Sequence, residues 1–188
     1  MSAHDLSTDW TVDRALAIPD DGNRYEVLDG ELSVTPAPSW DHQGLVEALF
    51  PPLDSYVRAN ALGWTKLSPA DIVFSPRRLV QPDLFVVPRR EHGRPRSWRE
   101  VDTLLLAVEV LSPSTADTDR HHKRLIYQTQ RVPEYWIVNA DARAVERWHP
   151  DDAAPEMIRG TLHWRPREDL VPLRIDLPEL FARVLDSD

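Results

Sequence analysis

Polar and apolar positions change period several times along this chain, and each change marks an element. Residues 8 to 18, "TDWTVDRALAI", predict a short helix opening at Thr8 or Asp9 and stopped by Pro19. "RYEVLDGELSVTPAP" then alternates on both sides of Asp29-Gly30, a dipeptide suited to a tight primed hairpin turn, and predicts two short strands. From Asp41 the spacing of Leu45, Val46, Leu49, Phe50, Leu53, Tyr56 and Val57 is helical. Pro51 and Pro52 interrupt it, and since an interior proline costs roughly 3 kcal/mol the pattern predicts a kinked or split helix. "WTKLSPADIVFSP" and "RLVQPDLFVVP" read as strands fenced by proline, and the apolar run 104 to 111, "LLLAVEVL", as another. Beyond "SPSTADTD", rich in capping residues, "RHHKRLIYQTQRV" reads as a helix and "EYWIVNA" as a strand. Strand, helix, strand implies a crossover, and so a mixed sheet with helices packed on it. "AVERWH" and "TLHW" are weaker strand signals, and "LPELFARVLD" predicts a terminal helix. The expected class is therefore α/β in the mixed α+β sense, with the 188 residues forming one domain, long enough for a real core at 41% hydrophobic content.

Composition narrows the functions. Cysteine is absent, which removes disulfides, thiolate zinc sites and cysteine nucleophiles. No apolar stretch is long enough for a membrane span, and "MSAHDLSTDW" lacks a basic and an apolar signal region, so a cytoplasmic protein with no membrane partner is expected. A net charge of −9 weighs against general affinity for nucleic acid, so any such contact must be local. One candidate is "PRREHGRPRSWR", residues 88 to 99, where Arg89, Arg90, Arg94, Arg96 and Arg99 face the single acid Glu91. Its plainer reading is a solvated surface loop.

The chemistry starts from Glu109, a carboxylate in the middle of the most apolar run. Burying even a neutral polar group without a partner costs roughly 2 to 7 kcal/mol, so an ion pair or a metal is required. Strand alternation places Asp83 with Phe85 and Val87, and Glu109 with Leu105, Ala107 and Leu111. If those strands are neighbours, the two carboxylates face each other and raise one another's pKa unless a cation lies between them. Oxygen ligands without cysteine point to Mg²⁺ or Mn²⁺. Only Lys66 and Lys123 are lysines among the 22 basic residues, which hints that position 123 needs a compact ammonium. An exposed i,i+4 pair of Lys123 with Asp119 is the alternative.

Four segments, "PDDGNRYEVLDGELSVTPAPSWDHQ", "QPDLFVV", "LAVEVLSPST" and "DRHHKRLIYQTQRVPEYWIVN", resemble in order and spacing a bacterial restriction endonuclease family of the PD-(D/E)XK nuclease superfamily, over roughly residues 19 to 139. The resemblance implies a restriction-endonuclease-like mixed sheet flanked by helices that binds a divalent metal and cuts phosphodiester bonds. By motif, Asp83 is the Asp of "PD" and Glu109 the acid of "(D/E)XK", holding the metal with the Val110 carbonyl. The pattern's lysine position holds Leu111, and Lys123 on the following helix is expected to take its role. Glu31 resembles the superfamily's extra acid, with an ordinary hairpin acid as the alternative. His42 and Tyr127 are expected as supports, and "EYW" as packing.

These readings lead to a DNA endonuclease, homodimeric because double-strand cleavage needs two active sites, with the arginine loop holding the duplex. Two alternatives stay open: a nuclease-like fold that binds nucleic acid or a partner without cutting, and a structural domain in which Glu109 merely pairs with an arginine.

Overall fold

The structure, a computed structural model, describes residues 3–5, 9–91, 93–113 and 115–186. Its main sheet has six strands: β4 (Gly63–Leu67), β7 (Leu84–Pro88), β8 (Leu106–Val110), β9 (Glu134–Asn139), β10 (Ala144–Trp148) and β11 (Glu156–Ile158), in the order β11-β10-β9-β8-β7-β4. Only β8 and β9 are parallel. A second, antiparallel sheet takes β1 (Ala3–Asp5), β2 (Arg24–Leu28), β3 (Glu31–Thr35), β5 (Ile72–Ser75) and β6 (Arg78–Val80) in the order β1-β3-β2-β6-β5. β12 (Thr161–Trp164) and β13 (Leu173–Asp176) form a separate hairpin. The class is the mixed α+β one expected.

Alternation gives the main sheet two apolar faces, as a sheet covered on both sides requires. Leu84, Val86, Leu106, Val108 and Val110 pack against helix α2 (Trp40–Ala59) and helix α4 (Leu177–Leu185). Phe85, Val87 and Ala107 pack on the other side with Leu28 and Ile72 of the second sheet and with Ile126 and Tyr127 of helix α3 (Arg124–Thr129). The crossover from β8 to β9 is a helix over 116–129, whose Thr118–Lys123 portion is wound as a π-helix. The site described below lies on this second face, between the two sheets.

Several expectations change in detail. The first helix, α1 (Val12–Leu16), starts later than Asp9, because Thr11 is its cap and accepts a hydrogen bond from Arg14 N at 3.3 Å; Thr8 lies outside the described residues. The hairpin turn is as expected, with Asp29 at φ 55° and Gly30 at φ 93°. Of the kink or split expected at Pro51 and Pro52, the split does not occur, and Trp40–Ala59 is one helix. Pro51 is exposed and Pro52 half-buried, so water can serve the carbonyls of Glu47 and Ala48 that lose their N–H donors. Leu45, Leu49, Leu53 and Val57 hold the opposite face, fully buried. Each proline-fenced run proves to be two strands, one for each sheet: β4 and β5 around Pro69, β6 and β7 around Pro82. Neither proline can donate to a ladder, so the chain changes sheets there. β1, β11 and β13 have three or four residues each and no periodic signature to read. Among the described residues no helix is long and apolar enough to cross a membrane.

Candidate active site

Asp83 stands just before β7, where the chain leaves the second sheet for the main one. The β7–β8 register pairs Leu84 with Val108 and Phe85 with Ala107, so its next step sets Asp83 opposite Glu109. Asp83 Oδ2 accepts a hydrogen bond from Val110 N at 2.9 Å, which ties the carboxylate to the strand carrying Glu109. Arg24 Nη1 lies 2.8 Å from Asp83 Oδ1, and His42 Nε2 lies 3.0 Å from Oδ2. Burial pushes the Asp83 carboxyl up, but the hydrogen bond and charge of His42, with Arg24 and Lys123, hold it well below the usual carboxylate range.

Glu109 is 2% exposed, and among the described residues its hydrogen bonds fall on one oxygen, Oε1: from Lys123 Nζ at 2.8 Å and from Tyr127 OH at 3.0 Å. Burial drives its pKa well up; Lys123 opposes this, while Asp83, Asp119 and Glu26 add to it. Lys123 is 3% exposed and lies amid three acids, at 2.8 Å from Glu109 and from Glu26 Oε1 and at 3.7 Å from Asp119 Oδ1. Burial lowers the pKa of its ammonium, but these carboxylates more than reverse the effect, so the charge is retained. Glu26 is held in turn by Gln81 N at 2.7 Å. Burial raises the Asp119 carboxyl to about 6 against the pull of Lys123 and a hydrogen bond from Thr115.

Asp83, Glu109 and Lys123 thus converge, joined by the supports His42 and Tyr127, and all except Tyr127 line one cavity of about 490 Å³ with Val110. The exposed i,i+4 pair weighed for Lys123 with Asp119 is instead a buried contact inside the cluster, and the cation on Glu109 is a lysine, not an arginine. The π turns place Asp119 and Lys123 here, a helix irregularity frequent at functional sites. Leu111, at the motif's lysine position, is half-buried at the cavity wall. "EYW" packs as expected: Tyr135 and Trp136 are buried, and Tyr135 OH donates to the Asp119 carbonyl at 3.2 Å.

The structure places Glu31 and the arginine loop away from this cavity. Glu31 does not line the cavity; the acid of the N-terminal hairpin that reaches Lys123 is Glu26, two pairing steps farther from the turn. Both sit on alternating strands next to Asp29-Gly30, so sequence could not choose between them. The arginine loop does not border the cavity either: Asp83 precedes β7 while Arg89 and Arg90 follow it, roughly 20 Å along the strand at ~3.3 Å per residue. Arg94 and Arg96 are exposed in that loop. Arg24 and Asp119 complete the cluster without a distinctive sequence signal.

Among the described residues no group of three or more His, Cys, Asp or Glu is arranged to hold a metal ion. The donors at hand nonetheless suit a hard divalent cation, being oxygens of Asp83 and Glu109 beside Val110, with Glu109 Oε2 left over by a hydrogen-bonding pattern that uses only Oε1.

The family model described as "Putative restriction endonuclease" (Uma2) matches residues 12–181 of this chain. Among solved structures, a putative nuclease belonging to DUF820 from Anabaena variabilis ATCC 29413 has the same fold, with a TM-score of 0.76 at 19% identity over 94% of this chain and 99% of that one. No curated protein matches.

Proposed function

We propose, from the premise that the chain belongs to this restriction endonuclease family, that it is a DNA endonuclease hydrolysing phosphodiester bonds with Mg²⁺ or Mn²⁺. The observation that carries the reading is the meeting of Asp83, Glu109 and Lys123 in one cavity, two acids from facing strands and an amine from the next helix. Asp83 and Glu109, with the Val110 carbonyl, would hold the ion. Bound there, it would lower the pKa of a coordinated water and offset charge on the phosphoryl oxygens.

The protein's own groups do the positioning. Arg24 and His42 keep Asp83 ionised and fixed. Glu26, Glu109 and Asp119 hold the Lys123 ammonium charged at the cavity wall, where it can orient the attacking water or stabilise negative charge in the transition state. Tyr127, its phenol pushed well up by burial, stays a hydrogen-bond donor and fixes Glu109. Cutting both strands takes two such sites, so the reading includes a homodimer.

One observation favours the second reading, binding without cleavage: the Lys123 ammonium already neutralises Glu109. Supercoiled plasmid with Mg²⁺ or Mn²⁺ separates the two. Nicking by the parent, abolished in Asp83→Ala and Glu109→Ala, is expected; an inert parent across a range of salt overturns the endonuclease.

A further inference from the structure

The basic loop that the cavity does not use borders a different one. A cavity of about 640 Å³ runs along the outer edge of β4, the last strand of the main sheet, and is lined by Arg58, Lys66, Arg89 and Arg90. In a chain with 31 acids for 22 bases, about half of the cations pair with a carboxylate among the described residues. Arg58 pairs with Asp54 and Arg90 with Asp102, each at 2.7 Å. Lys66 and Arg89 have no acidic partner among the described residues, although the exposed Glu91 borders the same cavity.

The floor of the cavity is polar and unsatisfied. Thr65 is 5% exposed, and its Oγ1 has no hydrogen-bond partner. Hydrogen bonds from Arg89 N to Leu62 O and from Ser68 N to Asp83 O put the even-numbered residues of β4 in register with β7. The N–H groups of Gly63 and Thr65 therefore point to the open edge. Gly63 is required there: it has φ +152°, and a Cβ would lie 1.9 Å from Val87 O. The C=O groups of Gly63 and Thr65 face the same edge, but four cations against Asp54 and Glu91 leave the lining net positive, and with the outward N–H groups and the orphan hydroxyl it complements a phosphoryl group.

We propose that this edge is a second anion site, in which Lys66 and Arg89 hold a phosphate of the DNA backbone away from the catalytic cavity. The identity of the ligand rests on the nuclease reading; the site itself does not. It gives the arginine loop a role at a distance from the chemistry, lengthening the footprint on DNA and not touching the scissile bond.

The test is fluorescence anisotropy of a labelled 20-bp duplex with the full-length protein in EDTA, over a series of salt concentrations. Each phosphate contact contributes ~0.9 to the slope of log K against log salt. Because the two cations share one phosphate, Lys66→Gln and Arg89→Gln should each weaken binding, and the double variant should lower the slope by ~1 with an affinity loss of at least ~10-fold. Calorimetry with inorganic phosphate and with a nucleoside triphosphate forms the other arm. Slopes unchanged in the variants while the parent binds and nicks DNA would overturn the site and leave the nuclease standing. Altered slopes with a parent that never nicks would uphold the site and end the nuclease reading. Tight binding of free phosphate or nucleotide, lost in the double variant with the duplex slope intact, would overturn the DNA backbone as ligand.

Discussion

The backbone N–H of Val110 donates a hydrogen bond of 2.9 Å to Asp83 Oδ2. That bond fixes a carboxylate on the edge of one strand against the strand that carries Glu109. It makes the position of Asp83 a property of the β7–β8 pairing and not of its own loop.

Lys123 compensates buried carboxylates, and its removal should be costly. Lys123→Met leaves Glu26 and Glu109 facing each other without a cation, and uncompensated buried charge costs about 3–5 kcal/mol. Urea unfolding should show that loss. The pair Lys123→Met with Glu109→Gln should recover part of it, whereas purely additive losses would mean the contact has no electrostatic role.

The buried acids set the pH dependence of stability. The Asp119 carboxyl stands at about 6 in the folded protein against 3.8 ordinarily, chiefly through burial. The native state therefore binds its proton more tightly, and the contribution is complete below about pH 4 and fades as pH rises through 6. Glu109 shifts in the same direction, whereas Asp83, held low, contributes stability above its ordinary range that is lost on acidification. Denaturant unfolding in steps from pH 4 to 7 should show Asp119→Asn gaining on the parent by up to ~3 kcal/mol as pH rises. A pH-independent difference would sink the assignment.

Divalent metal should stabilise the protein through Asp83 and Glu109. A cation that binds only the folded state at 100 times its Kd adds ~2.7 kcal/mol. Mn²⁺ should raise the thermal midpoint of the parent, and EDTA should reverse the effect. Asp83→Asn and Glu109→Gln should each lose the response; an equal rise in all three proteins would place the metal elsewhere.

Glu26 and Glu31 separate in activity. Glu26→Gln removes a charge that positions Lys123, so plasmid nicking should fall on the order of 10-fold or more, as for loss of one preorganised electrostatic contact. Glu31→Gln, at a half-buried position outside the cavity, should leave the rate within about twofold. The reverse order would falsify the placement of the hairpin acid.

The long elements were legible because each has its own period. The Asp29-Gly30 turn, helix α2, the strands around Asp83 and Glu109, and the strand after the crossover follow from apolar spacing and turn chemistry, properties of neighbours in the chain. The proline-fenced runs look like single strands because alternation does not say to which sheet a residue belongs. The pairings of Asp83 with Glu109 and of β4 with β7 involve atoms that only the folded chain brings close.

Residue types and local order determined by themselves that two acids and a rare lysine would stand in otherwise apolar or helical surroundings. Only the tertiary structure decided that Glu26, not Glu31, completes the ring around Lys123, and that the arginine loop lies at the far end of β7 from it. The reason is physical: a carboxylate's role depends on which charges share its low-dielectric surroundings, and those are set by register and packing across sheets, not by distance along the chain.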